Sequence, residues 1–353
     1  MKLLLTGGCG FIGSAVVRHL MRRTDHVVVN VDKMTYAASE VALEEAGGHS
    51  RHVLVRADIA DADALRAVFA THRPDAVMHL AAESHVDRSI DGPGAFIQTN
   101  VVGTFVLLEE TRRYWTSLPS APRAAFRFHH VSTDEVFGAL EVGDPAFTEA
   151  TRYDPRSPYA ASKAASDHLA RAWFHTYGLP VIVSNTCNNY GPWQFPEKLI
   201  PLVTLNALEG KELPVYGDGS NQRDWLFVDD HAAALVRVVE QGQPGATYAI
   251  GARQPRGNLD VVRAICAHLD RRAPDPAGPR ERLIRFVTDR PGHDFRYEID
   301  PTRTEAALNW RAPHDFETGL ARTIDWYLDN RAWWEGVRAA RYAGQRLGAG
   351  VAA

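Results

Sequence analysis

The chain has 353 residues, which at about 150 residues per domain corresponds to roughly two domains. Hydrophobic residues make up 45% and charged residues 23%, a balance that excludes a mainly disordered chain. Lys and Arg total 39 against 43 Asp and Glu, so the net charge is −4. This charge argues against a dedicated nucleic-acid-binding protein, which usually carries a basic stripe.

Short apolar runs alternate with amphipathic segments through the first half of the chain. The apolar runs predict strands at Lys2–Leu5, His26–Val31, Val53–Val55, Ala76–Leu80, Phe126–Val131 and Val181–Asn185. The amphipathic segments predict helices at Phe11–Arg23, Ala62–Thr71, Ala95–Arg113 and Pro158–Tyr177. Strands that alternate with helices predict an α/β fold in which both faces of a doubly wound parallel sheet are covered.

The rhythm changes near residue 186, where the sequence becomes rich in Pro, Gly and aromatic residues. A helix at Asp230–Glu240 and another at Phe316–Tyr327 follow. We predict a nucleotide-binding domain at 1–186, with 230–250 returning to it. Residues 187–229 and 251–345 would form a smaller α/β substrate domain, and 346–353 a frayed tail.

The three cysteines, Cys9, Cys187 and Cys266, are odd in number and widely spaced. They offer neither a disulfide framework nor a Cys-x-x-Cys metal pair, and no His-Glu-x-x-His motif occurs, so no metal site is predicted. No apolar run approaches the roughly 18 residues that span a bilayer, and the N-terminus lacks a signal-peptide core. We expect a cytoplasmic protein without a membrane or nucleic-acid partner.

A glycine-rich turn follows the first predicted strand and opens the first helix. Gly7, Gly10 and Gly13 have the spacing at which the backbone approaches a pyrophosphate at a helix N-terminus, which is typical of a Rossmann domain. Asp32 ends the second strand 19 residues after Gly13, where its carboxylate would bind an adenosine ribose. Because it would repel a 2′-phosphate, NAD is favoured over NADP. The alternative for Asp32 is a plain turn cap. Asp58 and Ile59 end the next strand and are candidates for an adenine pocket.

A second motif opens the helix at Pro158–Tyr177, where Ser157 is a good N-cap and Tyr159 and Lys163 share a face. A tyrosine base must lose about three pKa units, or roughly 4 kcal/mol, to act near neutral pH. An ammonium group about 4 Å away supplies a similar energy at an effective dielectric constant near 20. Tyr159 is therefore predicted as a base whose pKa Lys163 lowers. The alternative is an ordinary amphipathic helix surface.

Three polar residues, Thr133, Asp134 and Glu135, follow the predicted strand Phe126–Val131. The carboxyl ends of strands in such a sheet face the ligand crevice. Thr133 is placed to donate a hydrogen bond to a hydroxyl undergoing oxidation. Two carboxyls with separated pKa values supply an acid and a base to one site. The alternative is a solvated loop pair.

Together these motifs resemble the extended short-chain dehydrogenase/reductase superfamily, and within it the dTDP-glucose 4,6-dehydratases. The finer resemblance extends from residue 1 to about 342. It rests on Thr133-Asp134-Glu135 and on the segments 79–89 (HLAAESHVDRS), 188–192 (NNYGP), 195–201 (FPEKLIP), 223–225 (RDW) and 289–294 (DRPGHD). Phe137, Ala249 and Ala252 depart from the usual pattern, as does Cys9 in the glycine turn.

The resemblance implies two sets of binding residues. Those for NAD are Gly7, Gly10, Phe11, Ile12, Gly13, Asp32, Lys33, Met34, Thr35, Asp58, Ile59, Leu80, Ala81, Ala82, Ser84, Thr99, Tyr159, Lys163 and Asn189. Those for dTDP-glucose are Ser84, Thr133, Asn188, Lys198, Leu199, Pro214, Val215, Tyr216, Arg223, Asn258, Asp289, Arg290, Pro291, Gly292 and His293.

The implied reaction oxidises carbon 4 of the glucose, eliminates water across carbons 5 and 6, and returns the hydride to carbon 6. Tyr159 and Lys163 would serve the oxidation, with Thr133 beside the hydroxyl. Glu135 would be the base and Asp134 the acid of the elimination. The product would enter deoxysugar biosynthesis, either of rhamnose or of a secondary metabolite.

Two other functions fit parts of the pattern. A nucleotide-sugar 4-epimerase, or a dehydratase for a UDP- or CDP-hexose, shares the NAD turn and the Tyr–Lys pair, but an epimerase needs no acid/base pair to expel water. A non-catalytic dinucleotide sensor needs neither pair. The helices at 95–113 and 158–177 are expected to pack in a homodimer, as in the superfamily; the alternative is that they only cover the sheet.

Overall fold

A computed structural model describes residues 1–44, 46, 49–289, 293–342 and 347. Its strands are β1 (Lys2–Thr6), β2 (Val27–Asp32), β3 (His52–Arg56), β4 (Ala76–His79), β5 (Arg127–Thr133), β6 (Val181–Thr186), β7 (Asn188–Tyr190), β8 (Leu213–Tyr216), β9 (Gln222–Phe227), β10 (Thr247–Ile250), β11 (Pro255–Gly257), β12 (Ile284–Val287) and β13 (Arg296–Tyr297).

The α-helices are α1 (Phe11–Arg23), α2 (Ala62–His72), α3 (Val86–Asp91), α4 (Pro93–Phe96), α5 (Thr104–Ser117), α6 (Ser120–Ala125), α7 (Pro158–Tyr177), α8 (Leu199–Leu208), α9 (Val228–Gln241), α10 (Asn258–Arg272), α11 (Thr302–Leu308), α12 (Phe316–Asp329) and α13 (Arg331–Ala340). Short 3-10 turns lie at Val41–Leu43, Asp134–Phe137 and Arg280–Leu283. No helix in these described ranges is long and apolar enough to cross a membrane.

The main sheet has seven strands in the order β10-β6-β5-β4-β1-β2-β3, and every neighbouring pair is parallel. Successive side chains of β1 enter opposite cores: Leu3 and Leu5 pack with α1 and α9, whereas Leu4 packs with α2, α5 and α7. The predicted doubly wound parallel sheet is confirmed. The strand order reverses between β1 and β4, and a crevice opens at the carboxyl ends there.

The segment from α9 to β10 lies on this sheet. Thr247–Ile250 pairs in parallel with β6, and buried apolar residues of α9 share a core with α1. A separate core lies between α8, α10 and α12, around Val203, Val262, Ile265 and Leu320. The short strands β7, β9, β11 and β13 form one small sheet beside it, and β8 pairs with β12. This second body faces the carboxyl ends of the main sheet.

The prediction of a single helix at 95–113 is wrong in detail. The segment consists of α4, a π-helical segment at Ile97–Gly103, and α5, which extends to Ser117. The wider π turn buries Thr99 and Asn100, whose side chains have polar partners on the crevice side. Thr99 Oγ1 accepts from Lys33 Nζ at 3.0 Å, and Asn100 bonds both backbone groups of Glu83 at 2.9 Å. The predicted tail at 346–353 lies outside the described residues except for Leu347.

Candidate active site

Two adjoining cavities of about 230 and 410 Å³ lie over the carboxyl ends of the main sheet. The first lies against the glycine turn. The second lies between the sheet and the second body. Phe11, Ile12, Ser84, Val131 and Tyr159 line both of them. One continuous cleft therefore joins the predicted cofactor and substrate sites.

The glycine turn forms a cradle that a side chain would fill. Gly7 has a φ of +75°, and a Cβ there would lie 2.7 Å from the backbone of Ala81. A Cβ on Gly13 would lie 2.1 Å from the Gly7 carbonyl oxygen. Helix α1 begins at Phe11, directly after Gly10, so its unpaired N–H groups lie at the cavity wall. These features fit the pyrophosphate of a dinucleotide.

Asp32 is buried at the end of β2 and lines the first cavity. One carboxylate oxygen accepts from the Cys9 N–H at 2.9 Å, and the other accepts from the Met34 N–H at 2.8 Å. The Asp32 side chain therefore caps both flanking turns, as the alternative of a plain turn cap predicts. Because each carboxylate oxygen has two lone pairs, it also retains acceptors for a ribose.

Most of the residues predicted to bind the cofactor line the first cavity: Gly7, Gly10, Phe11, Ile12, Gly13, Asp32, Lys33, Thr35, Ile59, Leu80, Ala81, Ala82, Ser84, Thr99, Tyr159 and Lys163. Asn189 lines the second cavity instead. Met34 and Asp58 line neither. Asp58 lies 3.7 Å from Lys33 Nζ, so it reaches the site only through that lysine.

The loop at 194–198 supplies a cavity wall of which only Lys198 was predicted from the sequence. Gln194, Phe195 and Glu197 line the first cavity. Glu197 is buried and accepts from Arg88 Nε at 2.7 Å and from the Tyr36 hydroxyl at 3.0 Å. These two hydrogen bonds hold the loop against Tyr36, which precedes β4, and against Arg88, which follows it. Other lining residues missed from the sequence are Val31, Ala37, Ala38, Ala57, Val131 and Ser132.

Tyr159 and Lys163 lie side by side on α7, whose first turn Ser157 caps by accepting from the Ala160 N–H at 3.0 Å. Lys163 is 5% exposed and donates from Nζ to the Val131 carbonyl at 2.9 Å. Burial raises the pKa of Tyr159 above its ordinary value, the Glu135 charge raises it further, and the hydrogen bond from Thr133 opposes both. The predicted lowering of this pKa by Lys163 is wrong. Burial is the largest influence on the pKa of Tyr159, and burial also lowers the pKa of Lys163.

Thr133 ends β5, and a 3-10 turn at Asp134–Phe137 follows directly. Thr133 Oγ1 accepts from the Glu135 N–H and donates to Asp134 Oδ1, both at 3.3 Å. The turn directs both carboxyls into the second cavity, which Tyr159 also lines. Asp134 is 1% exposed, which contradicts a solvated loop pair. Burial, and then the charge of Glu135, raise the pKa of Asp134 well above its ordinary value.

Replacing Asp134 with Asn is expected to stabilise the fold increasingly as the pH rises. The folded state keeps the Asp134 proton, whereas the unfolded state loses it near pH 4, so wild-type stability falls between the unfolded and folded pKa values. The free energy of unfolding of Asp134→Asn relative to wild type should grow by about 1.4 kcal/mol per pH unit in that window. Urea denaturation from pH 4 to 8 measures it, with the exposed Asp25→Asn as control. A difference that does not change with pH contradicts the raised pKa.

The second cavity brings together most of the residues predicted to bind substrate: Ser84, Thr133, Asn188, Lys198, Leu199, Pro214, Val215, Tyr216, Arg223, Asn258 and His293. Asp289 does not line it but contacts His293 Nδ1 at 2.6 Å. Arg290, Pro291 and Gly292 lie outside the described residues. His85, Asp87, Trp225 and Tyr297 also line the cavity and were not predicted.

Arg223 is the basic group best fixed at this wall. It donates to the backbone carbonyls of Asp294 and Phe295 at 2.9 and 3.2 Å, and its guanidinium lies 4.2 Å from the centre of the Tyr297 ring. Phe137, one of the departures from the family pattern, packs against Phe147 and Tyr153 and lines neither cavity. Its missing hydroxyl therefore removes no group from the cavity walls.

The chain belongs to the GDP-mannose 4,6 dehydratase family, whose model matches residues 4–323. It is 56% identical over 359 residues to a dTDP-glucose 4,6-dehydratase of Escherichia coli, and 58% identical over 352 residues to one of Neisseria meningitidis serogroup B. In both comparisons 99% of each chain is covered.

The chain is also similar to solved structures of a dehydratase and of an epimerase. The dTDP-glucose 4,6-dehydratase of Streptomyces venezuelae, determined with NAD bound, has a TM-score of 0.87 and 42% identity and covers 96% of this chain and 100% of its own. The UDP-glucose 4-epimerase of Thermus thermophilus, also with NAD, has a TM-score of 0.81 and 26% identity and covers 94% of this chain and 100% of its own. The fold is common to both classes, and the higher identity lies with the dehydratase.

Proposed function

We propose that this protein is an NAD-dependent hydro-lyase that converts dTDP-glucose to dTDP-4-keto-6-deoxy-glucose. The observation that carries the proposal is the pairing of buried Asp134 with Glu135 in the cavity that Tyr159 also lines, where burial raises the pKa of Asp134 well above its ordinary value. An epimerase has no use for an acid and a base that remove water. The identity of the chain to named dTDP-glucose 4,6-dehydratases supports the nucleotide.

The first step is oxidation at carbon 4 of the glucose. Bound NAD⁺ supplies the hydride acceptor and a positive charge that favours ionisation of a nearby phenol. Tyr159 takes the proton of the 4-hydroxyl, and Thr133, which lines the same cavity, orients that hydroxyl. Lys163 holds a positive charge one helical turn below Tyr159. These residues place a base on one side of carbon 4.

The second step is the loss of water across carbons 5 and 6. The new ketone acidifies the hydrogen on carbon 5, and Glu135 removes it as a general base. Asp134, whose pKa burial raises well above its ordinary value, gives its proton to the departing 6-hydroxyl. The hydride taken from carbon 4 is then added to carbon 6, and Glu135 returns a proton to carbon 5. The proton that Tyr159 gained balances the one that Asp134 gave up, so the sum of the steps is the loss of one water with no net oxidation of the sugar.

The proposal is tested by incubating the protein with dTDP-glucose and measuring the product by mass spectrometry. Loss of one water, together with an ultraviolet chromophore after alkali treatment, is the expected result. An unchanged mass with a new sugar epimer would overturn the proposal in favour of an epimerase. UDP- and CDP-hexoses run in parallel define the nucleotide preference, and faster turnover of either would reassign the substrate.

We further propose that two copies associate through α7 and the segment from 97 to 117. Four large apolar residues, Ile97, Val102, Phe105 and Tyr177, are between 37 and 49% exposed there. Phe105→Glu is expected to halve the mass measured by light scattering, because it places a charge in the apolar contact. Val142→Glu, at an 85% exposed loop position, is the control. An unaltered mass for Phe105→Glu would remove this face from the interface.

A cytoplasmic location is proposed on the three cysteines, which are all free and buried as expected in a reducing compartment. The product is proposed as a precursor for deoxysugars, rhamnose among them. Division of the chain into 1–186 with 230–250, and 187–229 with 251–345, is proposed on the position of β10 in the main sheet and on the separate core around α8, α10 and α12.

A further inference from the structure

A buried carboxylate below the active site has no role in the chemistry above. Asp167 lies on α7 one turn after Lys163 and is fully buried. One of its oxygens accepts from His130 Nε2 at 3.1 Å. The other accepts from the Tyr153 hydroxyl at 2.7 Å and from Asn185 Nδ2 at 3.1 Å. Three donors from β5, β6 and a loop therefore converge on one side chain.

Two connections lead from Asp167 to residues that touch the cleft. The amide nitrogen of Asn185 that donates to Asp167 also donates to the Thr133 backbone carbonyl at 3.1 Å, which fixes the end of β5. Asp167 is also the acidic group whose charge acts on Lys163. Asp167 is therefore connected both to the position of Thr133 and to the charge of Lys163.

Burial alone does not account for the charge of Asp167. A buried carboxylate without a cationic neighbour favours its neutral form. Burial raises the pKa of Asp167, but the hydrogen bonds from His130 and Tyr153 and the charge of Lys163 hold it below its ordinary value, so Asp167 is an anion. Burial lowers the pKa of Lys163, and Asp167 opposes that shift. The buried carboxylate and the buried ammonium therefore stabilise each other.

The other charged or titratable groups around the pair are identified by element. His79 on β4 and His130 on β5 face Lys163, and burial lowers the pKa of both, so they are neutral near pH 7. Tyr159 lies above on the same helix. Arg171 lies on the far side of Asp167 and donates to the Tyr153 hydroxyl at 2.9 Å. No second carboxylate among the described residues replaces Asp167 in opposing the burial of Lys163.

We propose that Asp167 is a positioning residue of the reaction. Through Asn185 it holds Thr133 in place, and from one turn further along the same face of α7 it keeps the Lys163 ammonium charged. The inference rests on the proposed function, since it assigns Lys163 and Thr133 their roles from it. The carboxylate contacts neither cavity and acts only through these neighbours.

The test compares the pH dependence of kcat for wild type and Asp167→Asn. Loss of the anion should move the basic limb of the profile to lower pH by roughly one unit, because Lys163 then loses its proton more easily. Asp167→Glu, which retains the charge, should restore much of that shift. The KM for dTDP-glucose should change little, since no contact with the sugar is removed.

The matched control is Asp230→Asn. Asp230 is also a buried aspartate that contacts a histidine, His314 Nδ1 at 2.7 Å, but it lines neither cavity. Its basic limb should coincide with that of wild type. A wild-type profile for Asp167→Asn, or an equal shift for Asp230→Asn, overturns the inference.

A second variant tests the inference in case Asp167→Asn does not fold. Tyr153→Phe removes one donor to the carboxylate and keeps the aromatic ring, and kcat should fall several-fold at constant KM. Unaltered kcat in Tyr153→Phe would equally overturn the inference. Wild-type protein that does not dehydrate dTDP-glucose would instead refute the proposed function, so the two failures are distinguishable.

Discussion

Glu135→Gln is expected to oxidise the sugar at carbon 4 and then stop. Gln has the size of Glu but cannot take the proton from carbon 5, and loss of a general base costs roughly 100- to 10,000-fold in rate. The oxidation uses Tyr159 and Thr133, which remain. Stopped-flow absorbance should therefore show reduced cofactor forming and persisting while product release falls by that factor.

The control for this variant is Glu141→Gln, an exposed glutamate in the loop that follows the 3-10 turn. It should match wild type in both absorbance and product. Elimination of water by Glu135→Gln at the wild-type rate would remove Glu135 from the base role. Failure to reduce the cofactor at all would place Glu135 in the oxidation instead.

Tyr159→Phe is expected to abolish both the oxidation and the dehydration. The variant keeps the ring, which packs edge-on against Phe96 with 6.3 Å between ring centres, so the fold should be retained. It removes the hydroxyl that takes the substrate proton, with a loss of roughly 100- to 10,000-fold in kcat. Unlike Glu135→Gln, it should show no transient reduction of the cofactor.

Tyr190→Phe is the control for Tyr159→Phe. Tyr190 is equally buried, lines neither cavity and donates its hydroxyl proton to the Phe316 carbonyl at 3.2 Å. It should lower thermal stability and leave kcat near wild type. Persistent cofactor reduction in Tyr159→Phe would transfer the base role to another group in the cavity.

The sequence predicted elements best where end signals and periodicity coincide. Helix α7 has the predicted limits because Ser157 and Pro158 begin it and Gly178, with a φ of +71°, ends it. Helix α8 was missed because it is apolar on all sides and gives no amphipathic period. The π turn at Ile97–Gly103 was missed because its wider register depends on the tertiary contacts of Thr99 and Asn100.

The site was predicted where the ligand-facing residues follow strands, as with Thr133 to Glu135. Gln194, Glu197 and Tyr297 were missed, because they reach the cleft only when the second body folds over the sheet. The pKa predicted for Tyr159 included the charge of Lys163 but not the free-energy cost of burying a phenolate. Within the structure that cost dominates, and no local pattern reveals it.

The central claim is that a hydride leaves carbon 4 and returns to carbon 6 of the same sugar. Its most direct test is a mixture of unlabelled dTDP-glucose and dTDP-glucose that carries deuterium at carbon 4 and a second heavy label in the ring. The account predicts product in which the deuterium lies on carbon 6 and stays with the ring label. Deuterium lost to water, or found on molecules without the ring label, would contradict it.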